Sequence, residues 1–99
     1  AVVVFDDAGS PWYTLCEVRS PDRRGLLHMI TVGLADAGAS VHSARLVTID
    51  GQAVDQFQLT DTDGRKLTRI QKDLVRDALL SGVSGGASRK KRRRASLTR

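Results

Sequence analysis

Apolar positions recur every second residue in four stretches and at helical spacing in two, and the order of these stretches carries the architecture. Residues 2–5 (Val-Val-Val-Phe) form a short β-branched and aromatic run, closed by the turn-rich Asp6-Asp7-Ala8-Gly9-Ser10-Pro11, and read as a strand. Residues 13–19 read as a second strand, whose alternation puts Thr14, Cys16 and Val18 on the core face and Leu15, Glu17 and Arg19 on the other. From Gly25 to Ala37 the apolar residues Leu27, Ile30, Leu34 and Ala37 keep helical spacing, and Gly38 supplies a C-terminal stop. Gly33 inside this helix signals either close packing or simple tolerance.

Residues 41–49 and 52–60 are β-rich runs separated only by Asp50-Gly51, the dipeptide favoured in type I′ hairpins because both central residues take positive φ. Ala44, Leu46 and Thr48 on the first arm, with Phe57 and Leu59 on the second, form the expected inward set. Asp61-Thr62-Asp63-Gly64 turns the chain. Thr68 with Gln71 makes a capping box, and Leu67, Ile70, Leu74 and Ala78, joined by Val75 and Leu79, give a second helix its apolar face, ending near Gly82. Strand, strand, helix, strand, strand, helix is the order of an α+β sandwich with both helices on one face of an antiparallel sheet.

Length changes the picture little: 99 residues suit one domain with a single small core, expected over residues 1–84. Charge changes it more. Of the net +5, residues 89–99 hold seven of the sixteen basic groups and no acid, so the remainder, with nine basic against eleven acidic groups, is weakly acidic. Polyanion affinity is therefore assigned to residues 85–99, expected to be a flexible basic tail with almost nothing apolar to bury. Within it, Arg92-Arg93-Arg94-Ala95-Ser96 has the form of a substrate for basic-directed kinases, and nucleic acid is a weak partner at most. A charged terminus aiding solubility is the plainer reading.

The absence of a membrane-spanning apolar run and of a secretory segment, with one cysteine and hence no internal disulfide, places the chain in a reducing, cytoplasmic setting. Without an initiating Met it reads as a piece of a larger protein. No catalytic constellation emerges. There is no P-loop, dinucleotide fingerprint or motif-framed serine–histidine–acid set, so neither catalysis nor a cofactor is expected of this chain. Asp61-Thr62-Asp63-Gly64 fails as a calcium loop because Lys72 stands where a Glu ligand is needed. His28 and His42 are too few for a metal site and take surface or interface roles. Cys16, mid-strand with no base beside it, reads as a small buried hydrophobe.

Candidate chemistry sits at Glu17-Val18-Arg19-Ser20-Pro21-Asp22-Arg23-Arg24-Gly25-Leu26-Leu27, where a strand passes through a polar turn into a helix that opens on glycine. First-turn amides of a helix lack internal acceptors and favour an anionic or carbonyl group, by roughly 0.3–1 kcal/mol per charge at an exposed site. Gly25, with no Cβ, lets a ligand or a neighbouring chain approach the backbone.

Asp22-Arg23-Arg24-Gly25-Leu26-Leu27, Ala37-Gly38-Ala39-Ser40-Val41 and Asp55-Gln56-Phe57 together resemble the ACT domain, a ligand-sensing module of ferredoxin-like βαββαβ topology, over residues 13–81. More narrowly, Leu15-Cys16-Glu17-Val18-Arg19, the run from His42 to Ile49 and the opening Val2-Val3-Val4-Phe5-Asp6-Asp7 are similar to the last ACT repeat of a bacterial nucleotidyltransferase concerned with nitrogen status. The resemblance implies a regulatory domain that binds an amino acid, glutamine in that enzyme, between paired ACT domains, while catalysis belongs to other domains of the parent. Carried over by residue, the ligand site is Asp22, Arg23, Gly25, Leu26 and Leu27, with Asp22 capping the helix or taking an α-amino group and the amides of 25–27 holding a carboxylate. Arg23 and Arg24 either neutralise an anion or are solvated. The alternatives are a dimerisation or interdomain scaffold and a nucleic-acid module acting through the tail.

Two departures stand out. Arg24 replaces the proline that presets φ before the glycine. No β-rich run follows the second helix, although the family topology ends in a strand; strand 2–5 is expected to take that place, antiparallel beside 13–19.

Overall fold

The computed structural model describes residues 1–84, with side chains through Ser81. Its elements are β1 (Val2–Asp6), β2 (Thr14–Pro21), α1 (Leu26–Asp36), β3 (Ser40–Ile49), β4 (Gln52–Thr60) and α2 (Arg69–Ser84). The proposed basic tail lies outside the described residues. Among those described, no helix is long and apolar enough to cross a membrane.

The strands form one antiparallel sheet in the order β1-β2-β4-β3. With two helices packed on one face, this is an α+β ferredoxin-like sandwich. β1 occupies the edge where that topology normally places its last strand. Its register, Val3 opposite Val18 and Phe5 opposite Cys16, points both side chains toward the helices.

Local signals act as the sequence dictates. Asp50 and Gly51 take φ of 52° and 78°, the positive pair a type I′ turn requires. α1 ends in a Schellman motif: the Ala39 amide donates to Leu34 O at 2.9 Å and the Gly38 amide to Ala35 O at 3.0 Å, with Gly38 at φ 80°. The capping box closes reciprocally, the Thr68 amide donating to Gln71 Oε1 at 2.7 Å and the Gln71 amide to Thr68 Oγ1 at 3.2 Å. Asp61 is committed to its own turn. Its Oδ1 accepts from the amides of Asp63 and Arg65, and these bonds, that to Arg65 first, hold its carboxyl below the usual range.

The core lies between the helices and the inner faces of β1, β2 and β4, built from Val3, Cys16, Val18, Ile30, Leu34, Phe57, Leu59, Val75 and Leu79 among others. Cys16 is buried, and desolvation pushes its thiol up to about 12, which leaves it inert as a thiolate nucleophile.

Three expected burials are corrected. Ala44, Leu46 and Thr48 do face the helix side, opposite Phe57, Asp55 and Ala53, but every residue from 41 to 49 is exposed. The helices pack over β1, β2 and β4, and α1 touches β3 too little to bury these residues. In α1 the buried stripe is Leu26, Ile30, Gly33 and Leu34, so Leu26 takes the place expected of Leu27, which is exposed. In α2 the inward residues are Val75 and Leu79, preceded by Leu67, whereas Ile70 and Leu74 point outward. The helix is turned by about one residue, or 100°, from the face expected, and it extends past Gly82 to Ser84.

Gly33 packs against α2 without being crowded. A Cβ added there would meet Ala78 O and Leu79 Cδ2 at 3.5 Å, ordinary van der Waals contact. Gly33→Ala is therefore expected to raise stability by about 0.5–1 kcal/mol, through helix propensity. A urea midpoint that moves downward would show that the two helices approach too closely for a methyl group.

The loop between β1 and β2 is pinned to the start of α2. Asp7 pairs with Lys72, its main-chain oxygen accepts from Lys66 Nζ at 2.6 Å, and its Oδ1 accepts from Thr14 Oγ1 at 3.3 Å. The Lys72 hydrogen bond is the chief reason its carboxyl titrates below the usual range. Buried Thr14 also accepts from the Leu67 amide at 2.9 Å, tying β2 to the approach of α2.

Candidate functional site

The turn between β2 and α1 is tied to the β3–β4 hairpin. The Asp22 amide donates to Gly51 O at 2.9 Å, so the turn is stitched to the tip of the β3–β4 hairpin. Asp22 Oδ2 accepts a long bond, 3.5 Å, from Thr48 Oγ1 on β3. Asp22 is thus not the helix cap. That position belongs to Gly25, in the left-handed region at φ 79°, with no side-chain cap bond. A Cβ at Gly25 would meet nothing within 4 Å, so the backbone here is open from the front.

The consequence is a set of idle donors. The Leu26 amide bonds to Arg23 O at 3.2 Å and the Met29 amide to Gly25 O at 3.0 Å. Among the described residues, the amides of Leu27 and His28 find no acceptor. With no acid in the first turn, the positive end of the helix is not offset by its own side chains.

A concavity of about 320 Å³ lies against these amides. All five sequence-derived residues, Asp22, Arg23, Gly25, Leu26 and Leu27, line it, together with His28 from α1, Leu46, Val47 and Thr48 from β3, and Ala53 and Asp55 from β4. Arg23 turns toward α1, its guanidinium 3.5 Å from Met29 Sδ, while Arg24 is exposed and does not line the recess.

Asp55 belongs to the Asp55-Gln56-Phe57 run but is not among the expected ligand-site residues. It is 5 % exposed, and burial first, then the carboxylate of Asp22, pushes its pKa upward. The signal was nevertheless present: Ala53, Asp55, Phe57 and Leu59 share one phase of β4, so an acid occupies a position where the alternation calls for an apolar side chain. His42 lies elsewhere, with its Nε2 2.7 Å from Thr60 Oγ1 and its ring 5.1 Å from that of Tyr13.

A larger hollow, about 460 Å³, opens on the helix-free face among Val4, Leu15, Glu17, Arg45 and Gln56. Its central acid is already paired. Glu17 accepts from Arg19 Nε at 2.7 Å and from Gln56 Nε2 at 3.0 Å, the two bonds that hold its carboxyl below the usual range. The recess at the turn offers the opposite condition, unpaired donors facing an unpaired acid, and is the better place for a small polar ligand.

No family model matches the chain. Relatives known by name do. The chain is 37 % identical over 83 residues to the bifunctional uridylyltransferase/uridylyl-removing enzyme of Phenylobacterium zucineum, covering 83 % of this chain and 9 % of the relative. It is 36 % identical over 90 residues to the enzyme of the same name from Cereibacter sphaeroides, covering 90 % of this chain and 10 % of the relative. The chain thus spans about a tenth of the length of the enzymes it matches, and is homologous to one segment of them. Among solved structures, a protein of unknown function from Galdieria sulphuraria shares the fold, with a TM-score of 0.57 at 24 % identity, over 72 % of this chain and 38 % of that one.

Proposed function

We propose that this chain is an ACT-type regulatory domain that binds an amino acid, glutamine in the first instance, in the recess before α1, and that it serves a uridylyltransferase/uridylyl-removing enzyme without catalysing a reaction itself. The observation that carries the reading is the pair of unpaired amides at Leu27 and His28 behind the open backbone of Gly25, with Asp22 across the recess. A zwitterion matches this set, its carboxylate on the amides and its ammonium toward Asp22.

Pairing completes the site. β3 is a ten-residue edge strand with one free edge, and Val41, Leu46, Val47 and Ile49 on it are 37–54 % exposed. Such an edge calls for cover, and a second ACT domain laid antiparallel along it would close the recess over Leu46 and Thr48. A ligand bound more tightly in one arrangement of paired domains than in another would shift the parent enzyme between states.

Calorimetry on the paired chain with L-glutamine tests this. Gly25→Val is expected to weaken binding more than tenfold, because the branched side chain stands before the amides and is strained at φ 79°, while size exclusion shows pairing retained. A paired chain that binds neither glutamine nor another amino acid at millimolar concentration would instead support a scaffold role.

A further inference from the structure

Asp55 carries an almost buried carboxyl group with no partner among the described residues. It stands between Ala53 and Phe57 on the inner face of β4, and among the described residues no hydrogen bond or ion pair reaches its carboxylate. Its remaining exposure opens on the recess before α1. On the same face, Ser20 Oγ, opposite Ala53, is the one fully buried side-chain polar atom without a partner among the described residues, whereas the Asp55 carboxylate keeps its contact with the recess. A charge withdrawn from water without compensation destabilises the fold that holds it. Here compensation reaches the carboxylate only through the mouth of the recess, from water or from a bound cation.

The charged and titratable groups that line this recess are few. Asp22 and Arg23 come from the turn and His28 from α1, whereas β3 contributes only Leu46, Val47 and Thr48. The Asp22 carboxylate repels that of Asp55 and so sharpens the demand for a cation between them.

We propose that Asp55 is the specificity-determining group of the recess, taking, together with Asp22, the ammonium of a zwitterionic ligand whose carboxylate rests on the amides of Leu27 and His28. This deepens the amino-acid reading above and rests on it. It narrows the ligand class to free amino acids with an unmodified α-ammonium and excludes N-acylated derivatives and simple carboxylates. It also makes recognition pH-dependent. The ammonium binds the ionised carboxylate, so affinity falls as pH drops through the raised pKa of Asp55 and protonation competes with the ligand.

The test is calorimetry on the full 99-residue chain and its Asp55→Asn variant, with L-glutamine and N-acetyl-L-glutamine as probes, from pH 7 down to pH 4. Circular dichroism and urea titration of the ligand-free proteins run alongside. Asp55→Asn is expected to fold, to unfold at a higher urea midpoint because the unpaired charge is gone, and to bind glutamine at least tenfold more weakly with a flatter pH profile. Neither protein is expected to bind the N-acetyl derivative. Equal affinity of the two proteins for glutamine, or binding of N-acetyl-L-glutamine by the natural chain, overturns the role of Asp55 and leaves the amino-acid reading standing. Failure of the natural chain, shown to be paired by size exclusion, to bind glutamine or any other amino acid at millimolar concentration overturns both.

Discussion

Deleting residues 1–7 is expected to leave a chain that no longer unfolds cooperatively in urea. The deletion removes β1, whose Val3 is buried and whose Phe5 packs partly into the core beneath the Arg76 guanidinium, 5.1 Å from the ring centroid. Burying a Val or Phe side chain contributes about 1.5–3 kcal/mol when complete, so the two together supply several kcal/mol. The same cut removes Asp7 and with it the ties to Lys66, Lys72 and Thr14 that pin the hairpin to α2. It also bares the β2 edge. Against a total stability of about 5–15 kcal/mol for a typical domain, that combination removes most of the margin. A truncated chain with a sharp, unshifted transition would show that β1 is only an accessory to a core complete without it.

Phe57→Ala is expected to lower stability by about 3–5 kcal/mol, the largest effect of any single substitution. Phe57 is the largest fully buried side chain and lies on β4, which is hydrogen-bonded on both sides, opposite Cys16 on β2 and Ala44 on β3. The structure around it has little freedom to collapse into the cavity, because neighbouring inner-face positions are fixed by two ladders. Urea unfolding measures the effect as a fall in midpoint with the slope unchanged. Ile70→Ala serves as the contrast. Ile70 is 74 % exposed on α2, so its truncation is expected to change stability by no more than about 0.5 kcal/mol. A Phe57→Ala loss as small as that of Ile70→Ala would mean that the sheet repacks freely beneath the helices.

That contrast shows where reading the sequence succeeds. Features governed by neighbours a few residues apart were legible: the Asp50-Gly51 turn from its demand for positive φ, the Thr68–Gln71 box from its three-residue spacing, and the end of α1 from Gly38. The place of β1 was legible too, because topology left one edge unfilled and one strand without a partner. Burial on β3 was not. Alternation correctly assigned Ala44, Leu46 and Thr48 to the helix side, but whether helices reach that far depends on their length and position, which no local pattern encodes. Ile70 and Leu74 were misassigned for a related reason, since a helix with apolar residues over a wide arc does not specify its rotation until it meets α1 and β1.

The candidate site divides in the same way. The recess is built around the turn that the glycine-led motif marked, and the five residues carried over from it line one concavity. Asp22 as helix cap failed, because its amide is held by Gly51 and its carboxylate faces Thr48 rather than α1. Asp55, although part of the Asp55-Gln56-Phe57 run, was not legible as a site residue because it sits some thirty residues away, and only the β2–β4 pairing brings it under the turn.

The placement of β1 bears on how the sheet assembles. β1 reaches β2 through residues 7–13, and β3 reaches β4 through a two-residue turn, so both outer pairings are local. A strand arriving at the β2 edge only after α2 would close a loop roughly ten times longer, at an added entropic cost of about 2 kcal/mol. With both hairpins able to form independently, the long-range part of sheet formation is concentrated in a single seam, β2 against β4. The rate of folding should therefore respond to what strengthens or weakens that seam far more than to the outer strands.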